Sequence, residues 1–293
     1  MKIIRVGVVL AGGIGSRLAP TTLAISKHLF PVHDKPMIYY PISTLMLMQI
    51  KKIIIVLTNK DYNQYYSLLG NGAKFGLNIS YVFQDQPLGI VDGILKCEKK
   101  INKKSFCVIL GDNLFYGGNL KNNFYKISNI KTNSIIGYKV SNPENYGVIN
   151  FSKNFQIKSI EEKPKKPKSD YVVTGIYFYE NYVLKYLKKL KPSKRGELEI
   201  SHLNNLLAKK GKLKCHLFGR GYAWMDMGTY DDLLESSQMI ATLEKRQKIK
   251  IGCLEEIAFN NKWISRAAIL NKVNLLYNNT YSSYLRIIAN KTT

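Results

Sequence analysis

The chain has 293 residues, 45% of them hydrophobic, which is ordinary for a globular protein and enough for a sizeable core. No apolar run approaches the ~18 residues that span a bilayer, so no membrane partner is expected. The formal charge is +24, from 44 lysines and arginines against 20 acids. The lysines are spread along the whole chain, and their densest runs, Lys163–Lys168, Lys185–Lys194 and Lys209–Lys214, alternate with prolines or lie in helix-like segments as solvated faces. A nucleic-acid partner is therefore not expected, and attraction of small anionic substrates is a by-product of the charge.

The apolar run Ile3–Leu10 reads as a first strand. It ends in a glycine turn and Arg17 rather than a small-residue cleavage site, so it is expected to be core and not a signal peptide. The turn holds Gly12, Gly13 and Gly15, where the absent Cβ lets the backbone approach a ligand closely. Arg17 adds a planar fork of donors suited to phosphate oxygens. A Walker A loop and a dinucleotide fingerprint both fit badly, because Arg17 and Leu18 stand where each needs its next glycine. A tight turn with a surface cation remains the alternative for this loop alone. Lys27 follows in Ser26–Val32.

Strand-like runs then recur at Ile53–Thr58, Ile79–Gln84 and Phe106–Leu110. Helix-like segments lie between them near Pro36–Gln49, Asp61–Leu69 and Ile90–Lys99. This βαβ rhythm predicts an α/β fold with a mostly parallel, Rossmann-like central sheet and helices on both faces. Ligands of such sheets sit outside the carboxyl ends of the strands, so Gly12–Arg17 and Gly111–Asn113 should face one crevice. Shorter strands follow at Ser134–Val140, Gly147–Phe151, Ile157–Glu161 and Tyr171–Tyr179, predicting an inserted antiparallel region over that crevice. Helices are expected at Glu180–Leu190 and Glu197–Lys209, and strands at Leu213–Phe218 and Tyr222–Met225. A mainly helical part with a long amphipathic segment, Tyr230–Arg246, completes the chain. The expected organisation is a core over 1–228, divided into halves 1–133 and 134–228, and a helical part over 229–293.

Asp112 and Asp226 both stand at strand ends. An aspartate there is costly unless a cation meets it. Two separated carboxylates plus substrate phosphates make a typical Mg²⁺ site; the alternative for either alone is a helix cap or a turn. Lys163, after Glu161 and Glu162, could neutralise a phosphate, or belong to an exposed charged turn. Arg195 opens what reads as a normal helix start and could point at an anion there. The cysteines, Cys97, Cys107, Cys215 and Cys253, form no metal-ligand spacing and are expected as free thiols in a reducing cytoplasm.

Together these segments resemble the sugar nucleotidyltransferases, most closely their glucose-1-phosphate thymidylyltransferase branch, over nearly the whole chain. The resemblance rests on Leu10–Leu18, Ser26–Ser43 with Asp34-Lys35-Pro36-Met37-Ile38-Tyr39-Tyr40-Pro41, Leu110–Gly117, Tyr146–Val148, Glu161–Pro164, Val173–Tyr179, Arg195–Ile200 and Gly219–Thr229. It implies attack of glucose 1-phosphate on the α-phosphorus of dTTP, giving dTDP-glucose and pyrophosphate, an entry to dTDP-rhamnose and other deoxysugars of surface polysaccharides. No protein nucleophile is needed; positioning and charge neutralisation suffice. By resemblance, Leu10, Gly12, Gly13 and Gly15 cradle the nucleotide, and Arg17 and Lys27 neutralise the triphosphate. Gln84 and Gly89 read the pyrimidine edge, and Asp112 and Asp226 hold Mg²⁺. Lys163 and Arg195 bind the sugar phosphate. Asn113, Tyr146, Gly147, Glu162, Val173 and Thr174 line the sugar pocket.

Three departures from the family pattern stand out. Gly89 is followed by Ile90-Val91-Asp92-Gly93 in place of Leu-Ala-Gln-Ala, adding an acid beside the base pocket. His28 replaces a glutamine and Met227 a threonine. The same chemistry with UTP or another sugar phosphate, and a catalytically weakened nucleotide-binding paralogue, therefore stay open. The resemblance further implies a cytoplasmic homotetramer with a second nucleotide site at a subunit interface, to which Cys253–Phe259 would contribute. Asn260 or Asn261 replaces the cation expected just after that segment, which counts against feedback regulation.

Overall fold

The computed structural model of the chain describes residues 4–86, 88–193 and 196–290. Strand β1 (Ile4–Leu10) leads through the glycine turn and a short hairpin, β2 (Pro31–Val32) and β3 (Lys35–Pro36), into helix α1 (Tyr39–Leu47). Alternation continues with β4 (Lys52–Leu57), α2 (Tyr62–Leu69), β5 (Asn78–Phe83), α3 (Ile90–Lys96), α4 (Glu98–Ile101) and β6 (Ser105–Leu110). Strands β1, β4, β5 and β6 run parallel in the order β6-β1-β4-β5.

The continuous apolar sequences of β1, β4 and β6 follow from burial on both faces. Val6, Val8, Ile54, Val56, Phe106 and Val108 point into one core layer, under α3. Val9, Ile53, Ile55, Leu57, Cys107 and Ile109 point into the other, under α1. At roughly 25 cal/mol per Å² of apolar surface, these two layers supply the main driving force for folding.

The chain next forms β7 (Asn113–Gly117), α5 (Leu120–Ser128), β8 (Asn133–Lys139), β9 (Gly147–Phe151), β10 (Ile157–Glu162) and β11 (Tyr171–Tyr179). The antiparallel strands expected here extend the parallel sheet from its β6 edge. Strand β11 pairs antiparallel with β6, and β9, β10 and β8 build outward from it. Among the described residues, nine strands form this one mixed sheet. The reason lies in β11: eight of its nine residues are buried, so the strand needs cover on both faces and both edges.

Helices α6 (Val183–Leu187) and α7 (Ile200–Lys209) and strand β12 (Leu213–Phe218), parallel to β8, close this half. The predicted helix at 180–190 is thus only five residues long. The helix expected from Glu197 begins at Ile200, with Glu199 still extended. Strand β13 (Tyr222–Asp226) pairs with β7 in a separate two-stranded ribbon.

Helix α8 (Tyr230–Gln247) starts at Thr229, whose hydroxyl accepts from the Asp232 N–H at 3.2 Å, with two acids in its first turn and two bases in its last. Helix α8 is tied to distant sequence at both ends. Near its start the Tyr230 hydroxyl donates to the Leu18 carbonyl at 2.8 Å. Near its end Glu244 accepts from the buried Lys35 ammonium at 2.8 Å, within a network that includes Asp34 and Lys250. Helix α9 (Leu254–Asn260) sends Leu254 and Ala258 into the core layer under α1, and α10 (Arg266–Leu275) and α11 (Thr280–Asn290) share a small core of their own. Cys97, Cys107, Cys215 and Cys253 are free thiols. No helix among the described residues is long and apolar enough to cross a membrane.

Candidate active site

The glycine turn leaves the carboxyl end of β1, where the Ala11 N–H is held by the Val56 carbonyl at 2.7 Å. Gly15 adopts φ 64°, and a Cβ there would lie 2.9 Å from the Thr22 methyl carbon, so both conformation and space require glycine. The Thr22 hydroxyl donates to the Gly15 carbonyl at 3.0 Å and pins the turn. A cavity of about 560 Å³ opens over it, lined by Leu10, Gly12, Gly13, Gly15, Arg17 and Lys27 on one side and by Gln84, Gly89 and Asp112 on the other.

Asp112 follows the neighbouring strand β6 and meets two donors. The Lys27 ammonium forms a short ion pair with its Oδ2, and the Asn113 amide donates to its Oδ1 at 3.0 Å. Burial alone would push this carboxyl up. The Lys27 charge, together with those two hydrogen bonds, holds it well below the usual carboxylate range. His28, beside it, is fully enclosed; burial first and the Lys27 charge second lower its pKa to about 3, so the ring is neutral at physiological pH.

Asn113 is the hub of the site floor. Its Oδ1 accepts from the Trp224 indole N–H at 2.6 Å and from the Gly175 N–H at 3.0 Å while its amide nitrogen holds Asp112. Expected as a sugar-pocket residue, Asn113 does border the cavity, but its side chain orients three protein groups. The β7–β13 ribbon sets Asp226 opposite Asn113, and the Met227 N–H donates to the Asp112 carbonyl at 2.9 Å. Asp226 is thereby brought beside Asp112. Burial, and then the Asp112 charge, push its carboxyl up to about 7. Two nearby carboxylates that repel each other form a donor set suited to a hard divalent cation. The other cluster of metal-type ligands, His33, Asp34 and Glu244, already holds the ammonium groups of Lys35 and Lys250.

A second cavity, about 630 Å³, adjoins the first and shares Arg17, Asp112 and Lys163 with it. Tyr146, Gly147, Glu162, Val173, Tyr177 and Trp224 line it. The Tyr146 and Trp224 rings meet edge to face at 5.2 Å. Register pairs Glu162 with Gly147 across β9 and β10. Lys163, just past β10, has φ 43° and donates its N–H to the Tyr146 carbonyl at 3.0 Å.

Thr174 does not belong to this cavity, contrary to expectation. It is fully buried on the other face of β11 and donates to the Ile136 carbonyl at 3.2 Å. The alternation of a strand explains this: Val173, Gly175 and Tyr177 face the cavity, and Thr174 cannot. Arg195 lies outside the described residues. Sequence reading missed Glu197 and Asn204 as lining residues. Tyr177 stands on the cavity wall by the same alternation, counted from Val173.

Asp92, the extra acid, points at Gln84 rather than at the glycine turn. The Gln84 amide nitrogen donates to Asp92 Oδ2 at 2.9 Å and to the Gly89 carbonyl at 3.0 Å.

Comparison with known proteins agrees with this geometry. The family model described as nucleotidyl transferase matches residues 6–242. A protein of Neisseria meningitidis named glucose-1-phosphate thymidylyltransferase is 44% identical over 281 residues, covering 95% of this chain and 97% of the relative. One of the same name from Mycobacterium tuberculosis is 42% identical over 279 residues, with the same coverages. A Bacillus anthracis structure solved with sucrose superposes with a TM-score of 0.74 at 39% identity, over 80% of this chain and 94% of that one. A UDP-glucose pyrophosphorylase complexed with UDP-glucose gives a TM-score of 0.73 at 26% identity, over 83% of this chain and all of that one. With its model spanning most of the sequence and relatives above 40% identity along nearly their full length, the chain belongs to the nucleotidyl transferase family.

Proposed function

We propose that this enzyme transfers a thymidylyl group from dTTP to α-D-glucose 1-phosphate, forming dTDP-glucose and releasing pyrophosphate. The observation that carries the reading is the pair of adjoining cavities that share Arg17, Asp112 and Lys163. One is floored by a glycine turn suited to phosphates; the other is walled by aromatic and carboxylate groups suited to a sugar.

A sugar-phosphate oxygen attacks the α-phosphorus as the bond to pyrophosphate breaks. The chain's work is to align the two anions and offset their repulsion. The backbone at Gly12, Gly13 and Gly15 lies against the triphosphate, and Arg17 and Lys27 neutralise it. Gln84 and Gly89 meet the base. Lys163 binds the sugar phosphate, with Arg195 expected to join it. Glu162, Gly147 and Val173 contact the sugar. Asp112 and Asp226 would hold Mg²⁺, which supplies charge neutralisation at the α-phosphate when bound. A homotetrameric assembly is part of the same proposal; exposed Leu23, Leu234 and Tyr277 are candidates for its contacts.

A second reading, the same chemistry with UTP, is favoured by one observation: the likeness to a UDP-glucose pyrophosphorylase fold. The test is pyrophosphate release with glucose 1-phosphate, Mg²⁺ and dTTP, UTP, CTP, ATP or GTP in parallel, with Asp112→Asn as the blank. The expected result is preference for dTTP and a fall of at least ~10²-fold in the variant. Preference for UTP selects the second reading. Absence of turnover in folded protein that still binds dTTP overturns the enzymatic reading in favour of a binding paralogue.

A further inference from the structure

Gln84 and Asp92 form a pair whose geometry has a consequence for which base the site accepts. An amide has two donors on nitrogen and an acceptor oxygen, and either end can face a ligand. Here the choice is made by the protein. Both partners of the Gln84 nitrogen, the Gly89 carbonyl and the Asp92 carboxylate, are acceptors that can bond only to N–H. Inverting the amide would set its oxygen against two other oxygens. Oε1 therefore faces away from them, between the glycine turn and α3, where Cβ atoms built on Gly12 and Gly93 would lie 3.1 and 3.2 Å from it. Among the described residues no donor reaches Oε1. Gln84 lies between the turn and Gly89 in the wall of the nucleotide-side cavity.

We propose that Asp92 is a specificity-determining positioning residue: by locking the Gln84 amide it leaves the base pocket with a lone, fixed acceptor, and so selects pyrimidines that carry an N3–H over cytosine. Thymine and uracil donate from N3. Cytosine has a bare N3 lone pair, which would confront the Gln84 oxygen. Gly89 alone holds the amide by one neutral hydrogen bond; the carboxylate adds a charge-assisted one, the stronger kind. A buried polar group left facing a like group discriminates more sharply than a change of size does. This inference rests on the proposal above that the Gln84–Gly89 wall meets the base.

The test is calorimetric binding of dTTP and dCTP, with Mg²⁺ and without sugar phosphate, so that no turnover intervenes. The two nucleotides differ only in the base. Asp92→Ala, with Asp92→Ser as a second variant, is expected to lower the dTTP-to-dCTP affinity ratio by about tenfold or more, chiefly by improving dCTP. Loss of a mere surface charge near a triphosphate would tighten both nucleotides equally and leave the ratio unchanged, which overturns the inference. Gln84→Ala separates the two levels of the argument. If it collapses the ratio while both Asp92 variants do not, the base pocket stands and the role of Asp92 falls. If it leaves dTTP affinity and the ratio intact, the base does not meet this wall and both fall together.

Discussion

Removing the Asn113 side chain tests whether the site floor is built as described. In Asn113→Ala the Trp224 indole N–H and the Gly175 N–H lose their acceptor in a buried setting, at about 1–3 kcal/mol for each orphaned group. The sum is about 2–6 kcal/mol. For a chain of this size that is roughly 4–12 °C in melting midpoint, at about 2 °C per kcal/mol. Asp112 also loses the amide that fixes its Oδ1, so turnover should fall as well. Asn113→Asp separates the two effects. It keeps an acceptor for Trp224 and Gly175, so its melting loss should be less than half as large. It adds a third carboxyl to Asp112 and Asp226, which cannot all stay ionised together at neutral pH, so turnover should fall at least as far as in the alanine variant. Gly175→Ala should resemble Asn113→Ala, because its Cβ would come within 2.5 Å of Asn113 Oδ1. Differential scanning fluorimetry and initial rates on the three variants give the answer. An Asn113→Ala protein melting within about 1 °C of the parent would refute the account of the hub.

Three further predictions concern other parts of the molecule. Lys163→Ala should raise the KM for sugar phosphate about tenfold or more with a smaller effect on kcat, as loss of a ground-state contact does; a change confined to the KM for dTTP would show Lys163 on the wrong substrate. The buried Lys35 ammonium is 1% exposed and meets Asp34 and Glu244, so Lys35→Met should cost about 3 kcal/mol, seen in urea unfolding at pH 7. In the same network burial raises the Asp34 carboxyl, but the Lys250 and Lys35 hydrogen bonds and charges outweigh it and its pKa lies below the ordinary value. A depressed carboxylate stabilises the fold above its unfolded pKa of about 3.9 and loses that contribution as pH falls through the folded value. The melting difference between the parent and Asp34→Asn should therefore be full at pH 6 and shrink below about pH 4; a difference constant down to about pH 2 would contradict the ion pairing.

The parallel half of the sheet was legible because β1, β4 and β6 are buried on both faces and so read as unbroken apolar runs. The glycine turn with Arg17, and Asp112, were legible for a related reason: they follow β1 and β6, and the carboxyl ends of parallel strands share one rim; Lys27 was named through the resemblance. Strand β7 was not. Its sequence, Asn113–Gly117, is short and begins in what reads as a turn, and its partner β13 comes about a hundred residues later. Local pattern carries no register information over such a distance. Thr174 was carried over with Val173 from the resemblance, although a strand sends the two to opposite faces. Asp92 was visible as an oddity, but its direction depends on the turn at Gly89 (φ 95°). The role of Asn113 depends on Asp112 beside it and on two partners brought from β11 and β13, which its own neighbours in sequence do not announce.

The ties that α8 makes to the beginning of the chain bear on how the molecule is made. The Tyr230 hydroxyl and the Leu18 carbonyl are 212 residues apart, and Lys35 and Glu244 are 209 apart. At a synthesis rate of about 5–20 residues per second, the segment around the glycine turn waits roughly 10–40 s on the ribosome before its last anchors emerge. During that interval Lys35 has no Glu244 to meet, and the turn lacks its clasp at Leu18. The nascent protein can assemble the parallel strands early, yet the glycine turn gains its contact with Tyr230 only when about four-fifths of the length has been translated. A chain cut short before α8 would carry nearly every residue of the site and still lack the contacts that hold the turn in place.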